Sequence, residues 1–531
     1  MRHIQLLVAA AFAGFSSFAA ETGRAGERQA LWPEGGMSYI EWCAAPTNAN
    51  GSCMLLVSGG AYGSCSDVGL VEMWRSELTK IGFQCVNLVC RKPQPAGQPV
   101  WQSAWQDGQR AVRLVRSAAK ARGFNPERIG AIGMSAGGHL VCLLATSALT
   151  PAYAAVDATD ELPCHINWAI ASAPVCDSSL KFDEKTCPTC FLHGGKDPCT
   201  PNGSTRCYRE LRKRKVPSEL HLCADEPHGV WGLERVVEFL HQMKFDRGDL
   251  AHGDSQNHRF PPSGTIRTEK ELLWPEGKMP DVSENQVYKP YLVWFIPEKQ
   301  TTKAIQVIVP GGGYNMCNFI DEGVPVATYL NAKGMTAVVV MYRTPRPLGK
   351  AKHQTAWEDA QRAVRMVRHE APRRGLDPDR IGIMGFSAGG HLTLMTATNA
   401  KTSAYEPVDE IDKESCRLQW ACPVYPAYSL TDGVDVPNTT GGNDDSAVLV
   451  PEFSFDELTP PMCLFHGDAD GWAAMNSVKC WEKLRTMGRQ SDLHTFATRG
   501  HCFQFNGQPG TGSFTWMDQF WDFLLRKGYV L

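Results

Sequence analysis

The sequence predicts an α/β architecture written twice, each half a mostly parallel sheet with helices on both faces. Three observations carry this reading. The chain of 531 residues repeats itself: residues 31–35 recur as 273–277, 105–113 as 357–365 and 123–140 as 375–392, the last two pairs at a constant offset of 252. Short apolar runs alternate with amphipathic stretches in both copies. A Gly-x-Ser-x-Gly pentapeptide stands between an apolar run and a helical run each time, at Ser135 and at Ser387.

The repeat sets the domain organisation. Residues 191–194 match 464–467 at an offset of 273, so the second copy carries 21 extra residues, placed around 431–451. Each copy is longer than 220 residues, which suits a complete domain and not a solenoid unit. The stretch 251–265 is polar, holds Pro and Gly and lacks periodicity, as a linker does. The expected arrangement is a signal peptide at 1–20, one domain at 21–250, the linker, and a second domain at 266–531.

The elements follow in order. Strand-type runs occupy 54–57, 85–90, 129–132, 166–171, 189–192 and 219–223 in the first copy. Their partners are 305–309, 336–341, 381–384, 418–424, 462–465 and 492–496. Between them, Ala111, Val112, Val115 and Ala119 have helical spacing, with Arg110, Arg113 and Arg116 expected on the opposite, polar side. In such sheets functional groups gather at the carboxyl ends of the strands.

Composition narrows the class. Hydrophobic residues are 43% and charged residues 21%, which excludes a mainly disordered chain. The net charge of −3 offers no general attraction to nucleic acid or to an anionic membrane. Arg2 and His3 precede a short apolar run and small residues up to Ala20, the pattern of a secretory signal peptide. The reading is a secreted or periplasmic protein with no stable membrane insertion after cleavage. Many of the 19 Cys lie in apolar runs, where a thiol acts as a small hydrophobe. Cys187 and Cys190 have CxxC spacing, but no second such pair completes a zinc site.

The pentapeptide points to nucleophilic chemistry. A serine in a sharp strand-to-helix turn, with Gly on either side, presents its hydroxyl from a strained backbone. It needs a base, and the base needs an orienting carboxylate. The expected chain order is Ser, then acid, then His. Asp197 and Asp470 align at the offset of 273, as do His228 and His501. Asp468 faces Gly195 in the first copy and is the weaker candidate acid. His139 and His391, inside the following helix, are expected to pack or cap locally. His193 and His466, at strand ends, are expected to be structural. Donors for a developing oxyanion are expected from the amides of Ala136 and Ala388 and from Gly-rich turns, at Gly60 and Ala61 in the first copy and Gly312 and Gly313 in the second. No metal or organic cofactor is needed for this chemistry.

With these residues in view, each half resembles an α/β-hydrolase of the bacterial carbohydrate-esterase type, similar to acetyl xylan and feruloyl esterases and more distantly to hormone-sensitive-lipase-like esterases. The resemblance rests on the Gly-Gly-x-Tyr turns, the Gly-x-Ser-Ala-Gly-Gly-His-Leu elbows, the His-Gly-x-x-Asp loops and the late His. It implies two tandem α/β-hydrolase domains, a secreted esterase that removes acetyl or aromatic acyl groups from polysaccharides, and an acylated carbohydrate or other ester as partner. The first copy departs from the pattern, with Ser58 and Ala61 where the second has Pro310 and Gly313. Spacing alone establishes a serine acyl-hydrolase. A serine peptidase of the same fold is the alternative for the chain, and a glycan-binding or scaffolding module is the alternative for the first half. The basic stretch of Arg206, Arg209, Arg212, Lys213, Arg214 and Lys215 is expected to be a solvated face. The extra residues of the second copy are expected to form a rim or lid, and some Trp and Tyr to offer stacking platforms for sugars.

Overall fold

The computed structural model describes residues 26–63, 68–91, 97–199, 201–229, 232–246, 267–286, 289–430, 447–503 and 515–531. The signal-peptide and linker readings, and residues 431–446 of the extra segment, lie outside these. Among the described residues no helix is long and apolar enough to cross a membrane. The chain forms two compact units, 1–187 with 245–250, and 188–244 with 251–531. The division falls inside the first sequence copy, between Cys187 and Pro188.

In the first unit six strands run in the order β1-β2-β4-β3-β5-β6. They are β1 (Glu27–Ala30), β2 (Tyr39–Trp42), β3 (Cys53–Val57), β4 (Gln84–Val89), β5 (Ile129–Met134) and β6 (Trp168–Ser172). β1 and β2 are antiparallel, as are β2 and β4, and the remaining neighbours are parallel. Every residue of β3 and β5 is buried, which is why these strands read as unbroken apolar runs. The helices Gln102–Arg122 and Ala136–Thr146 cover the sheet on either side of β5 in the chain.

The second unit repeats this order and extends it. Its strands are β7 (Thr189–Gly194), β8 (Ser218–Cys223), β9 (Arg267–Leu272), β10 (Tyr291–Ile296), β11 (Ile305–Val309), β12 (Thr336–Met341), β13 (Ile381–Phe386), β14 (Trp420–Val424), β15 (Cys463–Gly467) and β16 (Asp492–Phe496). They lie in the order β7-β8-β16-β15-β14-β13-β11-β12-β10-β9. From β9 to β16 this is a complete α/β-hydrolase sheet, two antiparallel strands followed by six parallel ones. β11 and β13 are neighbours, so the turn after one and the elbow after the other open at the same edge of the sheet.

β8 and β16 pair antiparallel, with His221 opposite His494, two positions equivalent at the 273 offset. The contacts around the pairing repeat in both directions. Asp492 Oδ1 accepts from Ala224 N at 2.8 Å, and Glu219 Oε1 accepts from Ala497 N at 3.0 Å. On the adjoining helices Arg209 pairs with its own counterpart, Glu482. Tyr208 donates to Asp468 at 2.7 Å, and Arg212 donates to the same carboxylate. The basic stretch is therefore not wholly a solvated face: Arg209 and Arg212 are drawn onto the second copy by carboxylates that stand opposite them. Asp468, the weaker candidate acid, is spent here.

The repeated Leu-Trp-Pro-Glu-Gly and Trp-x-Asp blocks meet in a buried network. Trp32 Nε1 donates to Asp107 at 2.8 Å, and Trp274 Nε1 donates to Asp359 at 2.7 Å. Arg110 and Arg362 then bind Asp157 and Asp409, and also the carbonyls of Leu31 and Leu273. Arg110 and Arg116 were expected on a polar helix face and are instead buried. Their guanidinium donors find carboxylates and carbonyls from neighbouring segments, which offsets the cost of removing them from water. Among the described residues every cysteine is a free thiol, and most are buried.

Candidate active site

Ser387 follows β13 and opens the helix Ala388–Thr398 with φ 54° and ψ −118°. Ser135 follows β5 and opens Ala136–Thr146 with φ 56° and ψ −120°. A non-glycine residue in this region is strained, and the strain lifts the side chain out of the turn. The flanking glycines serve close packing. A Cβ on Gly385 would stand 2.2 Å from the carbonyl of Gly389, and one on Gly389 would stand 2.1 Å from that of Val309. In the first copy a Cβ on Gly133 would stand 2.4 Å from the Gly137 carbonyl, and one on Gly137 2.4 Å from that of Ser58.

In the second copy three separate segments converge. His501 Nε2 is 2.8 Å from Ser387 Oγ, and His501 Nδ1 is 2.8 Å from Asp470 Oδ2. The other carboxylate oxygen of Asp470 accepts from Trp472 N at 2.7 Å. Burial alone would raise the Asp470 carboxyl, but the His466 and His501 rings outweigh it and bring the pKa down to about 2. His466 is fully buried and also held by Ser477 and the carbonyl of Trp472. In the first copy His228 Nδ1 is 2.8 Å from Asp197 Oδ2, and Asp197 accepts from Cys199 N at 2.7 Å. Burial and the His193 and His228 rings act on Asp197 with the same balance, again giving about 2. Ser135 belongs to the other compact unit, where its elbow has the backbone of Ser387.

The Gly-rich turns are left-handed at three successive residues. The φ angles are 116°, 51° and 60° at Gly60, Ala61 and Tyr62, and 128°, 64° and 62° at Gly312, Gly313 and Tyr314. Each turn is tied to the elbow helix: Tyr62 OH is 2.7 Å from His139 Nδ1, and Tyr314 OH is 2.7 Å from His391 Nδ1. Ala136 and Ala388 are the first residues of those helices, where amide N–H groups have no intrahelical partner.

Several supporting residues carry no sequence motif. Glu322, almost fully buried, accepts from Gly311 N at 2.6 Å and from Tyr425 OH at 3.0 Å, and so braces the turn. At the 252 offset its counterpart is Leu70. Arg346 donates to the Gly313 carbonyl at 3.0 Å and to Tyr428 OH at 2.9 Å. Trp472 is half-buried beside Asp470, edge-on to Tyr428 with centroids 4.6 Å apart. Its counterpart is Cys199. Only the acid four residues after the strand-end His was legible here; these props are single residues that differ between the copies or stand outside the repeated blocks.

The two elbows and both turns lie within residues 43–175 and 293–484, which match the BD-FAE family model and make up more than half of the chain. The chain belongs to the BD-FAE family. Asp470 falls inside the matched stretches of this BD-FAE protein, while Asp197, His228 and His501 fall outside. It is similar to an acetylxylan esterase of Xylanibacter ruminicola, 31% identical over 235 residues, 41% of this chain and 44% of that protein. It is also similar to the esterase LipQ of Mycobacterium tuberculosis, 30% identical over 143 residues, 26% of this chain and 32% of that protein. The chain spans less than half the length of these curated relatives. Among solved structures, an acetyl ester-xyloside bifunctional hydrolase from Caldicellulosiruptor lactoaceticus is 27% identical with a TM-score of 0.41, over 51% of this chain and 100% of that one.

Proposed function

We propose that this protein is an exported serine carboxylic-ester hydrolase that removes acetyl or feruloyl groups from polysaccharides. The observation that carries the proposal is His501 standing between Ser387 and Asp470 at 2.8 Å from each. Ser387 Oγ attacks the ester carbonyl while His501 Nε2 takes its proton. Asp470 holds the other imidazole proton and so fixes the ring and its tautomer. The amides of Ala388, Gly312 and Gly313 receive the oxyanion, with the turn braced by Glu322 and Arg346. The imidazolium then protonates the leaving alcohol, and water repeats the cycle on the acyl-enzyme. In the first copy Ser135, Asp197 and His228 take these roles, with Gly60, Ala61 and Ala136 as donors.

The polysaccharide assignment draws support from the acetylxylan esterase relative and from the half-buried Trp472 beside Asp470, an aromatic ring on which a sugar can stack. The organisation proposed with it is a signal peptide at 1–20, domains at 21–250 and 266–531, and a linker between them, with the mature protein secreted or periplasmic.

The test uses Ser135→Ala, Ser387→Ala and the double variant on p-nitrophenyl acetate, acetylated xylan and feruloylated arabinoxylan. The double variant should fall to background, and each single variant should lose the share of its own copy. A double variant that keeps the wild-type rate would overturn the proposal.

A further inference from the structure

We infer that the second copy holds a divalent transition-metal site made by His353, His391 and Glu452, with Zn²⁺ the ion best suited to two imidazoles and a carboxylate. One ligand atom from each of the three residues lies within 4.8 Å of the others. His391 is fully buried, and its Nε2 has no hydrogen-bond partner. That nitrogen faces Glu452 Oε1 at 3.6 Å. His353 lies beside it with ring centroids 5.5 Å apart, and its buried Nδ1 is also unpartnered. Two buried imidazole nitrogens without hydrogen-bond partners, one of them facing a carboxylate, form a costly arrangement unless something joins them.

The first copy shows how the same place looks when nothing needs to be joined. At the repeat offsets His353, His391 and Glu452 correspond to Trp101, His139 and Ser179. There His139 Nε2 is 3.0 Å from Ser179 Oγ, with the Asp177 carboxylate at 3.5 Å, and Nδ1 keeps the Tyr62 contact, so the serine hydroxyl satisfies the nitrogen that in the second copy faces a carboxylate alone. In the second copy the serine has become an acid and the tryptophan a second imidazole. With Nδ1–H donated to the Tyr314 hydroxyl, His391 Nε2 presents a lone pair, the usual state of a metal-bound imidazole. Lys352 stands 4.7 Å from the Tyr428 ring centroid, and its charge also reaches both imidazoles, so a bound cation has to outweigh it. Three protein ligands leave room for water at the fourth position.

The site is one helical turn from Ser387, since His391 N donates to the Ser387 carbonyl at 3.1 Å. A bound ion would fasten the segment carrying Glu452 to the elbow helix and, through Tyr314, to the Gly-rich turn. It takes no part in the acyl transfer described above.

The experiment strips the full-length protein with chelator and titrates it with Zn²⁺ by calorimetry and with Co²⁺ by absorption. Wild type should take up one ion per chain at this site, with Co²⁺ d–d bands of a low-coordinate complex, without the charge-transfer absorption of thiolate ligands, and with a raised melting temperature. His353→Trp and Glu452→Ser, which install the residues of the first copy, should each remove that ion and the melting shift while the circular dichroism stays that of wild type. No uptake by wild type, or uptake unchanged in both variants, overturns the site. A Co²⁺ spectrum dominated by thiolate also overturns it, because the ion would then reside on cysteines.

Discussion

Ala61 and Gly313 hold the same place in the two Gly-rich turns, and both have positive φ, 51° and 64°. The left-handed conformation costs a residue with a side chain roughly 1–2 kcal/mol. Part of this is returned because glycine loses more chain entropy on folding, roughly 0.5–1 kcal/mol. Ala61→Gly should therefore stabilise the protein by up to about 1 kcal/mol, and Gly313→Ala should destabilise it by about as much. Space is not the obstacle at Gly313, where the nearest atom to an added Cβ is Tyr428 OH at 3.6 Å. Denaturant titrations of the two variants check the signs.

Glu322→Ala should damage the second copy selectively. It leaves Gly311 N–H and Tyr425 OH without their shared acceptor, at a cost of about 1.5–3 kcal/mol for hydrogen bonds to a charged group. In a Ser135→Ala background, which isolates the proposed Ser387 site, kcat should fall more than KM rises. Steady-state kinetics on an acetyl ester separates the two.

The Asp470 carboxyl sits at about 2, below its unfolded value near 3.9. A depressed acid contributes stability that is present above the unfolded pKa and lost as pH falls through the folded one. Asp470→Asn should therefore flatten the loss of stability between about pH 4 and pH 2. It should also lower turnover by Ser387 by about 10⁴-fold, because the amide reverses the imidazole tautomer. Stability against pH and kcat in the Ser135→Ala background are the two measurements.

Glu219, beside β16, runs the other way. Its burial pushes the carboxyl up to about 8, and burial pushes its partner His221 down to about 3. An acid raised on folding contributes stability below its unfolded pKa near 4.3 and loses it as pH rises toward 8. His221, lowered on folding, opposes this fall below its unfolded value near 6.5, so Glu219→Gln, which keeps an acceptor for Ala497 N, should remove the downward slope between about pH 6.5 and 8. Melting temperatures across this range test it.

Much of the fold was legible because the chain states it twice. The offsets alone paired Asp197 with Asp470 and His228 with His501, and the structure brings each His to its Asp. The elbow was legible because its signature is local: two glycines flank the serine within five residues, one packed on the elbow's own backbone and the other on the strand before the Gly-rich turn. What escaped was long-range. Arg110 looks like a solvent-facing residue by helical spacing, and nothing nearby announces Asp157 as its partner. Arg212 likewise sits in a basic run, and its acceptor Asp468 lies 256 residues away. Glu322 follows Asp321, and nothing in the sequence marks which of the two the Gly-rich turn will fold over. Such pairings are decided by which surfaces meet, and periodicity carries no record of that.

β8 and β16 occupy each other's open hydrogen-bonding edge, so residues 188–244 are held to 266–531 by strand pairing and not only by the covalent connection through 251–265. A protease site engineered into that stretch and cut to completion should yield two fragments that elute from a sizing column as one particle and part only in denaturant. Expressed alone, residues 266–531 would carry a bare strand and should self-associate.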